Sequence, residues 1–347
     1  MNREPVRFLF RLLVLTLVVF SPIMVIWVRY MTGVEPPLPG AYDRMARSLP
    51  SGQATWPDSD MRFLKAAYLR QLPARKKVLI LGGSRAATIA ADWFPAGDAW
   101  NAAVADGGVD DDVAFFEVCV EAGRVPDTII VEVFPALMQE GDITNSRAPG
   151  IFLERALRRY GIRKPWFPGD WHFSVSSVLP DLHNAYRVLF GRGVEDEVSG
   201  WHVFPDGRID FFEGRPVPTT ETVHQNLISM SPQLRWRTKS QPDDFAALLF
   251  RRFLDDLRSR GIHAIVFLAP VNPLAWDYYR ARGAYDETWI RGEMRDRGIP
   301  IAGTYSPIMA HAAPSDFYDA VHPVPAMVRR LLGDAGVIPD GRGRPSR

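Results

Sequence analysis

Two hydrophobic patterns alternate along this chain. Short aliphatic runs end at glycine or proline, and longer stretches carry apolar residues every three or four positions. Lys76-Lys77-Val78-Leu79-Ile80-Leu81 stops at Gly82-Gly83, which predicts a strand buried on both faces. Residues 100–104, 127–133, 262–268 and 299–302 repeat that signature. Helical spacing appears within 41–75, where Met61, Leu64, Ala67, Tyr68 and Leu72 share a face. It reappears over 109–123, with Asp110, Asp111 and Asp112 in a first turn where the helix dipole favours them. Residues 242–260 predict an amphipathic helix through Phe245, Leu248, Leu249, Phe253, Leu254 and Leu257. Further helices are expected over 283–297 and 324–332, and a helix start over 86–92. Strands alternating with helices imply an α/β fold, a parallel sheet with helices on both faces.

The N-terminus has a different pattern. Residues 12–28 contain no charged side chain, and with 8–11 the run is long enough to cross ~30 Å of hydrocarbon as one transmembrane helix. Arg3, Arg7 and Arg11 precede it, and beyond Arg29 the next basic residue is Arg44. That bias predicts a single-pass anchor in the cytoplasmic (inner) membrane, N-terminus inside, main domain periplasmic. A cleaved signal peptide fits less well, because the residues after the run offer no A-x-A-like site.

The expected organisation is a cytoplasmic tip and anchor (1–30), a spacer and lead-in helix (31–75), a main domain (76–335) and a flexible tail (336–347). Residues 140–240 have weak periodicity, many Pro and Gly, and Trp166, Trp171 and Trp201. So long a structureless loop is improbable inside a compact domain, which predicts an inserted cap subdomain. The 41 basic and 40 acidic side chains balance, leaving no electrostatic case for a nucleic-acid partner. The single cysteine, Cys119, excludes an intramolecular disulfide and reads as a small buried hydrophobe. The histidines show no metal-ligand spacing, and neither a P-loop lysine nor G-x-G-x-x-G is present, so no metal or cofactor is expected.

Two short blocks carry candidate chemistry. In open parallel sheets, ligands bind beyond the carboxyl ends of the strands. Gly82-Gly83-Ser84-Arg85 follows the first such strand, where a serine can expose its hydroxyl at a helix N-terminus. Near the C-terminus, Asp319 stands three residues before His322. A carboxylate so placed can accept the imidazole Nδ1 proton and leave Nε2 as a base. Arg85 suits either an anionic substrate group or a structural ion pair. Glu132, on an apolar strand, is expected to be buried and paired, or near the site. Asn101 and Asn272 are candidate substrate-binding residues, and Asn272 fits equally a turn before Pro273.

A Gly-Gly-Ser block after the first sheet strand, with D-x-x-H in the last loop before the final helix, resembles the SGNH/GDSL hydrolase superfamily. The resemblance covers residues 76–333. It implies a three-layer, flavodoxin-like sheet domain with Ser84 as nucleophile and Asp319 and His322 completing the triad. The second block of that family supplies an oxyanion-hole glycine beside the serine N–H. The similar stretch here is Asn101 to Gly108, and either Gly107 or Gly108 can fill the role. The sequence departs from the family in two places. Gly83 replaces the usual Asp, and the third strand, Val131-Glu132-Val133-Phe134-Pro135, lacks the Asn donor of the third block. Losing one donor costs ~10²–10³ in rate, which argues against an efficient general esterase.

An anchored chain with Gly-Gly-Ser-Arg, Ala269-Pro270-Val271-Asn272-Pro273 and a terminal D-x-x-H looks like the DltD-like and alginate-acetylation-type members. Those members act in O-acylation of cell-envelope polymers, often beside a multi-spanning membrane acyltransferase. The resemblance thus implies a membrane, such an acyltransferase and an acylated glycan as partners. It leaves three readings: an O-acyltransferase or esterase, a catalytically weak scaffold or binding subunit, and a secreted soluble esterase.

Overall fold

The computed structural model of the chain describes residues 61–135, 150–163, 202–210, 219–225 and 242–339, with Val14, Thr16, Asp43, Ala46 and Arg47. Among them the strands are β1 (Val78–Leu81), β2 (Ala99–Asn101), β3 (Thr128–Glu132), β4 (His202–Val203), β5 (Ile209–Asp210), β6 (His263–Leu268) and β7 (Ile301–Gly303). The helices are α1 (Met61–Gln71), α2 (Val109–Glu121), α3 (Gly150–Tyr160), α4 (Asp244–Ser259), α5 (Pro273–Arg280), α6 (Thr288–Arg297) and α7 (Pro325–Asp334). No helix among the described residues is long and apolar enough to cross a membrane. The expected span over 12–28 lies outside them except for Val14 and Thr16, as do Trp166, Trp171 and Trp201.

The fold is α/β. Five strands form one all-parallel sheet in the order β2-β1-β3-β6-β7, and each of the five matches a strand expected from the aliphatic runs. Those runs are unbroken because both faces of the sheet are covered. Ile80, Leu81, Ile129, Ile130, Val266, Phe267 and Leu268 are all buried. Helices cover both faces of the sheet. On one lie α2, α4 and α6, joined by a Phe116–Phe253 edge contact at 5.6 Å and by Arg251 Nε donating to Glu293 Oε1 at 2.9 Å. On the other lies α7, with Arg329 5.9 Å from the ring of Trp93 in the β1–β2 connection. From β1 the chain steps outward to β2, then back past β1 to β3. The connections therefore diverge between β1 and β3, and leave a crevice at the carboxyl ends of those strands.

Three elements differ from expectation. Residues 86–92 do not form an α-helix. The chain makes i+3 turns (Ala86 N–H to Gly83 O, Ile89 N–H to Ala86 O), then a short 3₁₀ turn at Ala91–Trp93. The carbonyls that a helix would use are occupied from elsewhere. Asn101 Nδ2 donates to both Ala86 O and Ile89 O at 2.9 Å, and Ile209 N–H donates to Ala87 O at 2.8 Å. Residues 273–280, where the sequence predicts no element beyond a turn before Pro273, form α5. Asn272 Oδ1 accepts the Leu274 N–H at 3.0 Å and Pro273 takes the first helical position, an N-cap and N1 pair that starts a helix. Leu248, placed by the helical pattern on the buried face of α4, is 41% exposed, while Phe250 is buried there.

Part of the expected insert is built into the sheet domain. The tip between β4 and β5 covers the open edge of β2. Asn101 N–H donates to Asp206 O and Ala91 N–H to Asp206 Oδ2, both at 2.8 Å, and Tyr68 Oη donates to Pro205 O at 2.9 Å. An edge strand with unpaired N–H groups invites wrong pairing, and this tip supplies its partner. Lys65 of α1 closes the same region. Its buried ammonium donates to Asn101 O and Ala103 O, and burial pushes it well below the ordinary lysine range.

Asn101 is thus the lock of the β1–β2 connection, since its Oδ1 also accepts the Ala103 N–H at 2.9 Å. Asn101→Ala leaves the buried Ile89 carbonyl and the Ala103 N–H without partners and takes one of two donors from the Ala86 carbonyl. It should cost about 3 kcal/mol, measured by denaturant unfolding of the purified chain. A loss under about 1 kcal/mol would show that water replaces the amide.

Candidate active site

The crevice side of β1 ends in a forced turn. Gly82 takes φ +127°, and a Cβ there would lie 2.6 Å from the Cβ of Glu132. Only glycine satisfies both constraints. The turn presents Ser84, partly exposed, past the end of β1.

The second block closes on itself. Phe317 pairs with Pro323 in an antiparallel bridge, and Tyr318 N–H donates to His322 O at 2.9 Å. Asp319 Oδ1 accepts the N–H groups of Val321 and His322, both at 2.8 Å. Its Oδ2 lies 2.7 Å from His322 Nδ1, and His322 Nε2 lies 2.8 Å from Ser84 Oγ. Two blocks 238 residues apart thus meet in a continuous Ser84–His322–Asp319 chain. With Nδ1 donating to the carboxylate, Nε2 is left to accept the Ser84 proton. Burial alone would raise the Asp319 pKa, but the His322 charge and the bonds from His322 and Val321 outweigh it and hold the carboxyl below its ordinary value.

Beneath Ser84 lies a buried ion pair. Glu132, the last residue of β3, accepts the Gly83 N–H on Oε2 at 2.8 Å and Arg85 Nε on Oε1 at 3.0 Å. Arg85 also donates to Ala269 O at 3.4 Å and stacks 3.8 Å from the Phe134 ring centroid. It is 3% exposed, so its charge is spent inside the fold, and the reading as a binder of an anionic substrate group is corrected. Asp112 lies close by. Burial pushes its carboxyl well above the carboxylate range, and the charges of Asp111, Glu132 and Asp110 push the same way.

The remaining expected site residues are placed as follows. The Ser84 N–H has no acceptor among the described residues. Gly107 N–H donates to Val104 O at 3.2 Å, and Gly108 N–H to Asp111 Oδ2 at 3.2 Å. Both glycine donors are engaged. Gly107 instead serves close packing, since a Cβ there would strike Gly82 O. Ser84 lies in a turn rather than at a helix N-terminus, so no helix dipole points at it. Asn101 and Asn272 are 1% and 0% exposed, and the amide of each bonds to backbone groups at both ends, so both are corrected to structural positions. Cys119 is buried, and burial pushes its thiol up to about 12, well away from a nucleophile's range. Among the described residues no cluster of His, Cys, Asp or Glu is arranged to hold a metal ion. No family model matches the chain, and no match to it is found among curated proteins.

Two outcomes follow from this geometry. Glu132→Ala strands a buried guanidinium and should cost about 3–5 kcal/mol, whereas Glu132→Gln with Arg85→Met removes both charges and should cost less. Unfolding curves of the three proteins check this; equal losses would show that the stranded charge is not the source of the cost. Asp319 binds its proton more weakly folded than unfolded. Its contribution to stability is therefore complete above the ordinary carboxylate value of about 4 and is lost as pH falls through the lower folded value. Asp319→Asn should flatten the acid side of the stability–pH curve, and an unchanged slope would assign that dependence to other groups.

Proposed function

We propose that the chain is a serine acyl-transfer enzyme of SGNH type, an O-acyltransferase or esterase. Held at the cytoplasmic membrane by its N-terminal apolar run, it acts on the outer side on an acylated cell-envelope polysaccharide or a related polymer. The observation that carries this reading is the Ser84 Oγ–His322 Nε2 contact of 2.8 Å, backed by Asp319 at 2.7 Å, at the carboxyl end of a parallel sheet. The strand order, 2-1-3-4-5 among the sheet's own strands, supports a flavodoxin-like, three-layer domain with its ligand at the β1/β3 crevice.

The chemistry balances with the residues present. Ser84 Oγ attacks an ester carbonyl as its proton passes to His322 Nε2, and Asp319 stabilises the imidazolium. The oxyanion forms beside the Ser84 N–H. Collapse breaks the ester bond, and His322 returns the proton to the leaving alcohol. His322 then takes a proton from water or from a glycan hydroxyl, which attacks acyl-Ser84 and regenerates the serine. Attack by water makes an esterase and attack by a glycan makes a transferase. A multi-spanning membrane acyltransferase is a fitting source of the acyl group.

The engaged N–H groups of Gly107 and Gly108 favour a second reading, a catalytically weak scaffold subunit of an envelope acylation complex. One experiment separates the two. The full chain is purified in detergent and treated with a fluorophosphonate probe, with Ser84→Ala as control. The enzyme reading expects labelling that vanishes in Ser84→Ala and slows by about 10³–10⁴-fold in Asp319→Asn. A folded chain that takes no label, together with a Ser84→Ala strain that keeps its envelope acylation, would overturn the enzyme reading in favour of the scaffold.

A further inference from the structure

The Asp319–His322 block is well bonded within itself, but its position relative to Ser84 must be set by something outside it. Two hydrogen bonds tie it to the end of β6, and Asn272 makes both. Asn272 N–H donates to Ala320 O at 3.0 Å, and Asn272 Nδ2 donates to Asp319 O at 3.0 Å. The other end of the same amide, Oδ1, accepts the Leu274 N–H at 3.0 Å and starts α5. Asn272 itself is completely buried. One side chain therefore faces two ways, towards the base of α5 and towards the backbone of the residue that orients the imidazole.

We propose that Asn272 is a positioning residue of the Ser84–His322–Asp319 site, acting through the Asp319 backbone; this rests on the serine-nucleophile reading above. The Asp319 carboxylate is fixed from downstream by the Val321 and His322 N–H groups, which move with the loop. The carbonyl of the same residue is fixed by Asn272, which moves with the sheet. That bond and the Asn272 N–H bond to Ala320 O hold the loop in the frame that carries β1 and Ser84. Without the side-chain bond the loop keeps its own shape and pivots on the remaining backbone bond. The His322 Nε2 to Ser84 Oγ distance then becomes variable, and reacting groups displaced by about 1 Å lose on the order of 10²-fold in rate.

The amide's two roles can be separated by substitution. A serine at 272 keeps an oxygen that caps Leu274 N–H, but it is one bond shorter and does not reach Asp319 O. An alanine loses both bonds. Asn272→Ser and Asn272→Ala are compared with the unaltered full chain for second-order fluorophosphonate labelling rate from pH 5 to 9, with melting temperature recorded for each. Positioning expects both variants to label about 10–100-fold more slowly. It also expects Asn272→Ser to keep the parent's melting temperature while losing rate, because the cap on Leu274 survives and the tie to Asp319 does not. A residue that serves only as a helix cap gives an Asn272→Ser variant like the parent in rate and profile, with only Asn272→Ala lowered in melting temperature. That result would overturn the proposal. Absence of labelling in the parent chain is a separate outcome and sinks the nucleophile reading itself.

Discussion

The buried carboxylate of Glu132 is the interaction on which this site depends. It stands at the end of β3 and reaches under the loop that follows β1, where one oxygen takes the Gly83 N–H and the other takes Arg85 Nε. Two charges out of water are costly unless every donor and acceptor is used. Here the guanidinium also reaches Ala269 O beyond β6 and lies on the face of Phe134. The pair thus joins the ends of three neighbouring strands. Its contribution is better counted as a fixed backbone for Ser84 than as net stability.

A carboxylate behind a serine loop raises an electrostatic difficulty. If Ser84 attacks a carbonyl, negative charge develops beside its own N–H, with Glu132 one residue away on the Gly83 N–H. Unpaired, that carboxylate would oppose the reaction. Arg85 cancels it at contact distance, and burial pushes the carboxyl of Asp112, the next acid in the stack, well above the carboxylate range, which disfavours a second charge there. Arg85 therefore bears on the chemistry without touching a substrate. In sequence, an arginine after a serine fitted both an anion-binding and an ion-pair role. Only the pairing of β1 with β3, Leu81 opposite Val131, decides between them.

The parts legible in the sequence are those whose cause is local or periodic. All five sheet strands are written as aliphatic runs because both faces are covered. Asp319 and His322 are legible because three residues separate carboxylate from imidazole, and the turn between them is self-contained. The misread parts are those decided by distant partners. Residues 86–92 have helical composition, yet Asn101 and the β4–β5 tip take the carbonyls at 86, 87 and 89. Asn101 and Asn272 looked like pocket residues because buried asparagines and pocket asparagines are the same letters. The N-cap followed by Pro at N1 was a signal that could have announced α5, and it was masked by the equally good turn reading of Asn-Pro. Gly107 and Gly108 carried no local sign that Val104 O and Asp111 would claim their N–H groups.

Ser84 and His322 arrive from different frames, and the sheet register is what reconciles them. Ser84 is held from β3 through Glu132, and the His322 loop is held from β6 through Asn272. β3 lies between β1 and β6, with Val131 opposite Leu81 and Glu132 opposite Phe267. Because side chains alternate along a strand, a slip of one residue in β3 would turn Glu132 to the opposite face and free the Gly83 N–H. Such a slip would also expose to the aliphatic core a carboxylate with no partner, which costs far more than the lost ladder bonds. The charge that fixes the serine loop therefore also disfavours the wrong register. This accounts for a glutamate ending an otherwise aliphatic strand, where packing alone would favour another apolar residue.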